Sequence, residues 1–559
     1  MSMYLETRAL YNFDPVTIMS KTYDYTIVGG GSAGCVLAAR LSESGAKVLL
    51  IEAGPTDSNP FIHVPAGFTK LSGPKVNWGY RTVPQKHLNN REMWYPQGRT
   101  LGGGSSINAM IYTRGHRTDY DKWAAGGAIG WSYEDVLPYF RKAESNARFS
   151  NQYHGVDGPL SVSDPISPLG ITSAFIKAAQ EVGIPFNPDF NGAEQEGVGF
   201  HQTTTRFGRR GSAAVSYLRP AMSRKNLTVV TNAQVHRIVI ERSRAVAVEF
   251  TLANSKALQR VNTEREVIVT AGAIGSPKLL MLSGIGPSRH LKEIGISMQT
   301  DLEGVGENLQ DHLDCYTVYD CNGPHSYYGV DQYLKQAWWA LQYLLFKSGP
   351  VTTNIVEAGA FVKADTSSQT PDTQFHFLPA YVIDHGMKRV PGYGVCLYTN
   401  LLRPKSRGTV RLADSNSASA PLIDPNYLSD PDDMRMALAG LRMAREVMES
   451  PSIKKYLEAE RMPGAQMRTD AELGAYIREW SKTDYHPVGT CKMGTDNLAV
   501  VDSQLRVRGI DGLRVCDSSV MPLEISANTN APTIMIAERA SDFILNRREE
   551  PRKARTLKG

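Results

Sequence analysis

A strand, a glycine turn, a helix and an acid-tipped second strand stand in register near the N-terminus. Tyr23-Asp24-Tyr25-Thr26-Ile27-Val28 is β-rich and apolar, and it runs directly into Gly29-Gly30-Gly31-Ser32-Ala33-Gly34. Cys35 to Leu41 then carries helix-compatible residues, and the apolar run Val48 to Ile51 ends in Glu52. That acid lies about 20 residues beyond the glycines, the spacing of a dinucleotide-binding βαβ unit. In such a unit Gly29 permits a tight turn, Gly31 lets backbone approach a pyrophosphate, and Gly34 allows close helix–strand packing. The helix N-terminus presents unpaired N–H groups and a positive dipole end to the phosphates. Glu52 is placed to accept from a ribose diol, which disfavours a 2′-phosphate. The fingerprint occurs once.

A chain of 559 residues is too long for one ordinary core, so two domains are expected. The composition, 42% hydrophobic and 21% charged, is that of a globular protein. A net charge of +5 over this length gives no case for nucleic acid. No run reaches the 18 or so apolar residues of a spanning helix. Met1 to Lys21 lacks the apolar core of a secretory signal and reads as a flexible leader. The six cysteines are scattered without a CxxC pair, which fits a reducing cytoplasm and predicts no metal site. The basic tail from Arg547 admits two readings, a solvated tail or contact with an anionic membrane surface.

The fold class expected is α/β. A nucleotide-binding domain is assembled from discontinuous segments, with an inserted α+β domain whose sheet is mainly antiparallel. Residues 21–150, 201–318 and 483–546 are assigned to the first domain. Residues 319–482 form the inserted domain, 151–200 a segment joining the two, and 1–20 and 547–559 flexible termini. Strands are expected at Asn226–Val230, Val235–Ile240, Arg265–Thr270 and Leu513–Asp517. Gly54 to Gly104 reads as a loop-rich stretch draped over a ligand. Thr118 to Ala143 reads as helical. Tyr333 to Lys347, rich in Trp, Tyr and Leu, reads as a packed helix or as a membrane-dipping surface.

Tyr485-His486-Pro487-Val488-Gly489 places a histidine on a loop stiffened by proline and glycine. Imidazole titrates near working pH, so His486 is a candidate general base. Asn528-Thr529-Asn530 lies further on, before Ala531-Pro532.

Five blocks in order, Gly29–Gly34 with Glu52, Gly98–Ala109, Gly272–Gly286, Val305–His312, and His486 with Asn530, resemble the glucose-methanol-choline (GMC) flavin oxidoreductases. The likeness spans nearly the whole chain and is greatest to the bacterial choline, aliphatic alcohol and polyethylene glycol dehydrogenase branch. The resemblance implies FAD, with its ADP half on Gly29, Gly31, Ser32, Ala33 and Gly34 and its ribose on Glu52, beside Ala53. It implies that Gly103, Gly104, Asn108, Ala109 and Met110 lie along the isoalloxazine, that Trp78 belongs to the cofactor site and that the Val235 backbone contacts adenine. Asp517 and Ser518 match the second flavin motif, although Asp517 also suits a helix cap; Asn528 and Thr529 match the stretch by the pyrimidine edge.

The same resemblance makes His486 and Asn530 the catalytic pair for oxidising a primary alcohol to its aldehyde by hydride transfer to flavin N5. Electrons then leave to a quinone, a carrier or oxygen, because no second nucleotide module is present. An oxygen-using oxidase is the alternative within this chemistry and a flavin-containing lyase the alternative outside it. Ile107 stands where some relatives carry the histidine that bonds FAD, so dissociable FAD is expected. Asp484 either points to solvent or, buried beside His486, raises its pKa. Glu357 either places a carboxylate near the substrate or pairs with an arginine. Phe377 and Tyr381 are candidates for an apolar pocket or for core. The expected localisation is cytoplasmic, with peripheral contact at the inner membrane as a second reading.

Overall fold

Two seven-stranded sheets organise the chain, and their strands are drawn from separated parts of it. The computed structural model describes residues 22–255, 257–328 and 332–546, so the expectations for both termini fall outside the described residues. In the first sheet Tyr23–Val28 is central, parallel to Val48–Ile51 on one side and to Gln259–Val269 on the other. Leu227–Val230 and Leu513–Val515 extend it, both in parallel. Ala233–Glu241, Arg244–Leu252 and Gln259–Val269 continue it as an antiparallel meander. Val28 pairs with both Ile51 and Val269, so three strands end together where Gly29 begins. Open parallel sheets bind ligands at that carboxyl edge.

Helix Ser32–Ser42 follows Gly29, whose φ of +112° is open to glycine and strained for other residues. A Cβ on Gly34 would lie 1.9 Å from the Gly29 carbonyl oxygen. The third glycine is therefore required for the helix to start so close to the strand. Ala33, Val36, Leu37 and Ala38 are buried on this helix, which packs against the C-terminal helix Asn530–Ile544.

The second sheet runs in the order Leu457–Met462, Leu313–Cys321, Gly394–Leu401, Thr373–Leu378, Ala358–Val362, Gly197–Phe200, with every neighbour antiparallel. Its strands alternate in the two-residue period of a pleat. Phe375, Phe377, Val395 and Leu397 face a core shared with helices Gly170–Glu181 and Pro431–Glu449. The opposite face carries Tyr316, Tyr398, Cys396 and Leu378, packed with Ile111 of the first domain. The expected boundaries shift accordingly. Gly197–Phe200, within the joining segment, is an edge strand of this sheet, and Leu313–Cys321 crosses the boundary drawn at residue 318.

Other local expectations are refined. Thr118 to Ala143 is two helices, Arg117–Ala125 and Tyr133–Ala143, broken where Gly127 and Gly130 take positive φ. The 54–104 stretch contains the short ladder Tyr80–Arg81 with Trp94–Tyr95. Helix Tyr333–Phe346 buries only Tyr343 among its side chains, which corrects the expectation of a packed helix. Among the described residues no helix is long and apolar enough to cross a membrane.

Candidate active site

The glycine turn and the Gly98–Met110 segment face one another closely. The Gly102 N–H donates to the Gly30 carbonyl at 2.7 Å, and a Cβ on Gly103 would come within 2.7 Å of Gly31 Cα. A Cβ on Gly31 would meet nothing closer than 3.8 Å, and one on Gly104 nothing within 4 Å. Open space therefore lies above bare backbone at both ends of the contact. No side chain caps helix Ser32–Ser42, so its N-terminal dipole is free to receive an anion. Glu52 is buried, accepts from the Gly30 N–H and the Gly54 N–H at 2.7 Å each, and is pushed by burial up to about 7. Ala53 follows it, half-buried, and Val235 lies on the strand whose Ala233 N–H donates to the Glu52 carbonyl.

Arg210 is buried and donates through Nη1 to the Asn108 carbonyl at 2.7 Å and to Asn108 Oδ1 at 2.8 Å. Its Nη2 has no partner, and burial lowers its pKa to about 9. A buried cation with a spare donor suits an electron-rich cofactor ring beside the 103–110 turn. The glycine cradle, Glu52 and Arg210 together fit FAD. Met110 completes the turn at φ +61°, and the Ala109 carbonyl accepts from Asn354 Nδ2 at 2.8 Å. Trp78 stacks on Tyr80 under the Arg99 guanidinium. Asp517 caps two elements: it accepts from the Ser519 N–H, the Gly272 N–H and the Ser276 hydroxyl. Ser518 donates to the Pro487 carbonyl at 3.2 Å, joining that turn to the His486 loop.

His486 is 7% exposed, between the domains. Its backbone N–H donates to Asp311 Oδ1 at 2.8 Å, while Asp311 Oδ2 accepts from Tyr95 at 2.8 Å, from Thr483 at 2.6 Å and from Tyr427. This buried carboxylate holds the loop, in which Tyr485 takes φ +68°. The ring is fixed at both nitrogens. His486 Nδ1 lies 2.9 Å from His312 Nδ1, and Asn528 Nδ2 lies 3.1 Å from His486 Nε2. His312 Nε2–H donates to the Leu402 carbonyl at 3.2 Å. A carbonyl only accepts, so a neutral His312 presents a bare Nδ1, and His486 must donate from Nδ1 and keep Nε2 unprotonated. Asn528 is oriented to match, because its Oδ1 accepts from Thr113 at 3.0 Å and from Gln374 at 3.4 Å.

Burial lowers His486 to about 4, opposed by Asp484 and aided by His376 and Lys482. Burial also lowers His312, to about 3. Asp484 is buried, with Oδ2 3.4 Å from both His486 Nδ1 and His376 Nε2. It therefore faces the site and not solvent, and the rise in His486 pKa expected from such a position is outweighed by burial. Lys482 pairs with Asp314 at 2.5 Å behind this cluster.

Several predicted residues fall elsewhere. Asn530 does not meet His486; its Oδ1 accepts from the Ser32 hydroxyl at 2.7 Å, which places it on the glycine turn. Thr529 precedes it as the N-cap of the last helix. Among the described residues Glu357 pairs with no arginine; it accepts from Thr172, Tyr327, Thr353 and the Leu169 N–H, so it ties loops together as a buried carboxylate. Phe377 stacks on Phe175 at 4.6 Å within the core. Tyr381 donates to Asp320. From the second sheet, Gln374 donates to Asn528 and His376 lies 3.4 Å from Asp484, both on the opposite face from Phe375 and Phe377. Their signal was the two-residue alternation of 373–378 itself; His312 carried none beyond its place in the Val305–His312 block.

This combination of a glycine cradle and a buried histidine site defines a two-domain flavin oxidoreductase. The GMC oxidoreductase family's two domain descriptions match residues 23–314 and 404–537, and the chain belongs to that family. It is 45% identical to an alcohol dehydrogenase [acceptor] of Pseudomonas putida over 94% of this chain and 96% of that protein. It is 42% identical to human mitochondrial choline dehydrogenase, over 93% and 89% respectively. Among solved structures, pyridoxine 4-oxidase from Mesorbium loti superimposes with a TM-score of 0.86 at 32% identity, covering 94% of this chain and all of that one. The protein is an FAD-dependent oxidoreductase acting on CH–OH groups.

Proposed function

We propose that the enzyme oxidises a primary alcohol to its aldehyde, with His486 as general base and Asn528, in place of Asn530, as the group that holds the alcohol oxygen. The observation that carries this reading is the hydrogen-bond chain from the Leu402 carbonyl through His312 to His486, which leaves Nε2 bare beside an oriented amide N–H. An alcohol between the two donates its proton to Nε2 while its oxygen accepts from Asn528 Nδ2. FAD, held by the glycine cradle, Glu52 and Arg210, would supply a two-electron acceptor for the α-hydrogen as hydride. As the proton arrives, Asp484 faces the imidazolium from 3.4 Å and offsets part of the cost of charge in a buried site. General-base help of this kind is typically worth about 10² to 10⁴ in rate.

Ile107 has no nucleophile, so FAD is held without a covalent bond; acid precipitation then leaves the yellow colour in the supernatant. We assign the electrons to a quinone or carrier and the working place to the cytoplasm, with peripheral contact at the inner membrane as the second reading. An oxidase reading is favoured by the structural likeness to pyridoxine 4-oxidase and by 43% identity to an oxygen-dependent choline dehydrogenase of Sinorhizobium fredii. Peroxide formation measured against reduction of a quinone-like dye separates the two. The deciding experiment for the whole reading is anaerobic mixing with choline, alkanols, aromatic alcohols and glycol oligomers. Bleaching of the flavin by at least one of them is expected, and bleaching by none overturns the reading, as a redox-neutral lyase would.

A further inference from the structure

Helix Tyr333–Phe346 is apolar on the side that meets no other part of the protein among the described residues. At 100° per residue, Leu334, Trp338, Leu341 and Leu345 fall within a stripe about 60° wide, and Tyr343 lies opposite them. Tyr343 is the buried residue, and its hydroxyl donates to the Gly208 carbonyl at 3.0 Å. The stripe points the other way, with Leu334 88%, Trp338 65% and Leu345 64% exposed. Tyr333, Leu344 and Phe346 are also exposed and widen it. Across the Gly208 contact, the tip of the Thr205–Arg210 hairpin adds an exposed Phe207. Single exposed apolar residues are ordinary, whereas a stripe of them along one helix marks an interaction surface.

Asp331 precedes the stretch that carries this surface and a buried Glu357 follows it, but the stretch itself, residues 332–356, contains Lys335 and Lys347 and no acid. The hairpin tip adds Arg206 and Arg209, both exposed. A two-fold contact between copies would set these cations against one another with no acid in the patch to meet them. We propose that this face docks on an anionic lipid surface. The Leu334–Leu345 stripe enters the boundary between headgroups and acyl chains, and the four cations meet the phosphates.

The same hairpin leads to the site. Arg210, at its base, holds Asn108, and Asn354, beyond the helix, holds the Ala109 carbonyl. These hydrogen bonds tie the docking face to the 105–110 turn, so the acceptor a docked enzyme meets is one dissolved in the lipid. Only that last purpose rests on the proposed alcohol chemistry.

Flotation of the FAD-loaded full chain with phosphatidylglycerol–phosphatidylcholine vesicles tests the docking. The protein should float with these vesicles and float less with pure phosphatidylcholine. Trp338→Glu combined with Leu345→Glu should lower partitioning about tenfold or more. Lys335→Glu combined with Lys347→Glu should lower it roughly tenfold on the anionic vesicles alone. All four sites lie away from the catalytic groups, so both variants should keep their flavin and reduce a water-soluble dye as the wild type does. Wild-type protein that stays at the bottom of the gradient, or apolar-stripe variants that still float, would overturn the proposal. So would a wild-type dimer, dissociated by the same variants, that binds no vesicles. If no alcohol bleaches the flavin, the catalytic reading fails while flotation still decides the docking.

Discussion

In the glycine cradle of the first domain the working groups are backbone N–H groups and open space, whereas around His486 the groups turned toward one another are side chains, anchored on the Leu402 carbonyl. The cradle comes from 12 consecutive residues, Tyr23–Gly34, plus the 98–104 turn laid against it. The histidine site draws on residues 311–312, 374–376, 484–486 and 528, which meet only after the second sheet docks. The cradle tolerates no added atom where backbone meets backbone, at Gly34 and Gly103. Side-chain sites accept substitution in volume but depend on which nitrogen carries a proton. The two regions should therefore fail differently.

Gly34→Ala should have the largest effect, since its Cβ would enter the Gly29 carbonyl at 1.9 Å. The expected flavin-to-protein ratio of purified variant is less than about a tenth of wild type, with a lowered melting temperature. His486→Ala should leave the absorbance of bound FAD intact and slow anaerobic flavin reduction by about 10² to 10⁴. Near wild-type reduction would remove the base from His486. Asn528→Ala should slow reduction by about 10- to 100-fold at full flavin content, the cost of one hydrogen bond to a reacting oxygen. Asn530→Ala, losing its contact with Ser32, should instead weaken FAD retention on dilution. The reverse pattern would return the catalytic role to Asn530. Asp484→Asn should be the mildest. Removing a negative charge beside His486 makes the imidazolium less stable, so the acid limb of the rate moves down by about one pH unit.

The sequence carried the cradle in full because its requirements are local: a strand end, three glycines, a helix start and an acid at a fixed distance. It carried His486 through the proline and glycines around it. It misplaced the amide, since Asn528 and Asn530 differ by two residues and only the start of helix Asn530–Ile544 decides which one turns toward Ser32. In 373–378 the aromatics drew attention as pocket candidates, yet a strand gives alternate residues to opposite faces. Phe375 and Phe377 went to the core, and Gln374 and His376 to the site. Asp484 was unreadable for a different reason, because its burial depends on the second sheet closing over the loop.

The central claim is that His486 is held neutral, with Nε2 bare, by burial and by His312. The pH dependence of anaerobic flavin reduction at limiting substrate tests it most directly. The rate should stay nearly level from roughly pH 8 to pH 5 and fall as His486 protonates near its lowered value of about 4. A rate already halved near 6.5, the ordinary histidine value, would contradict it.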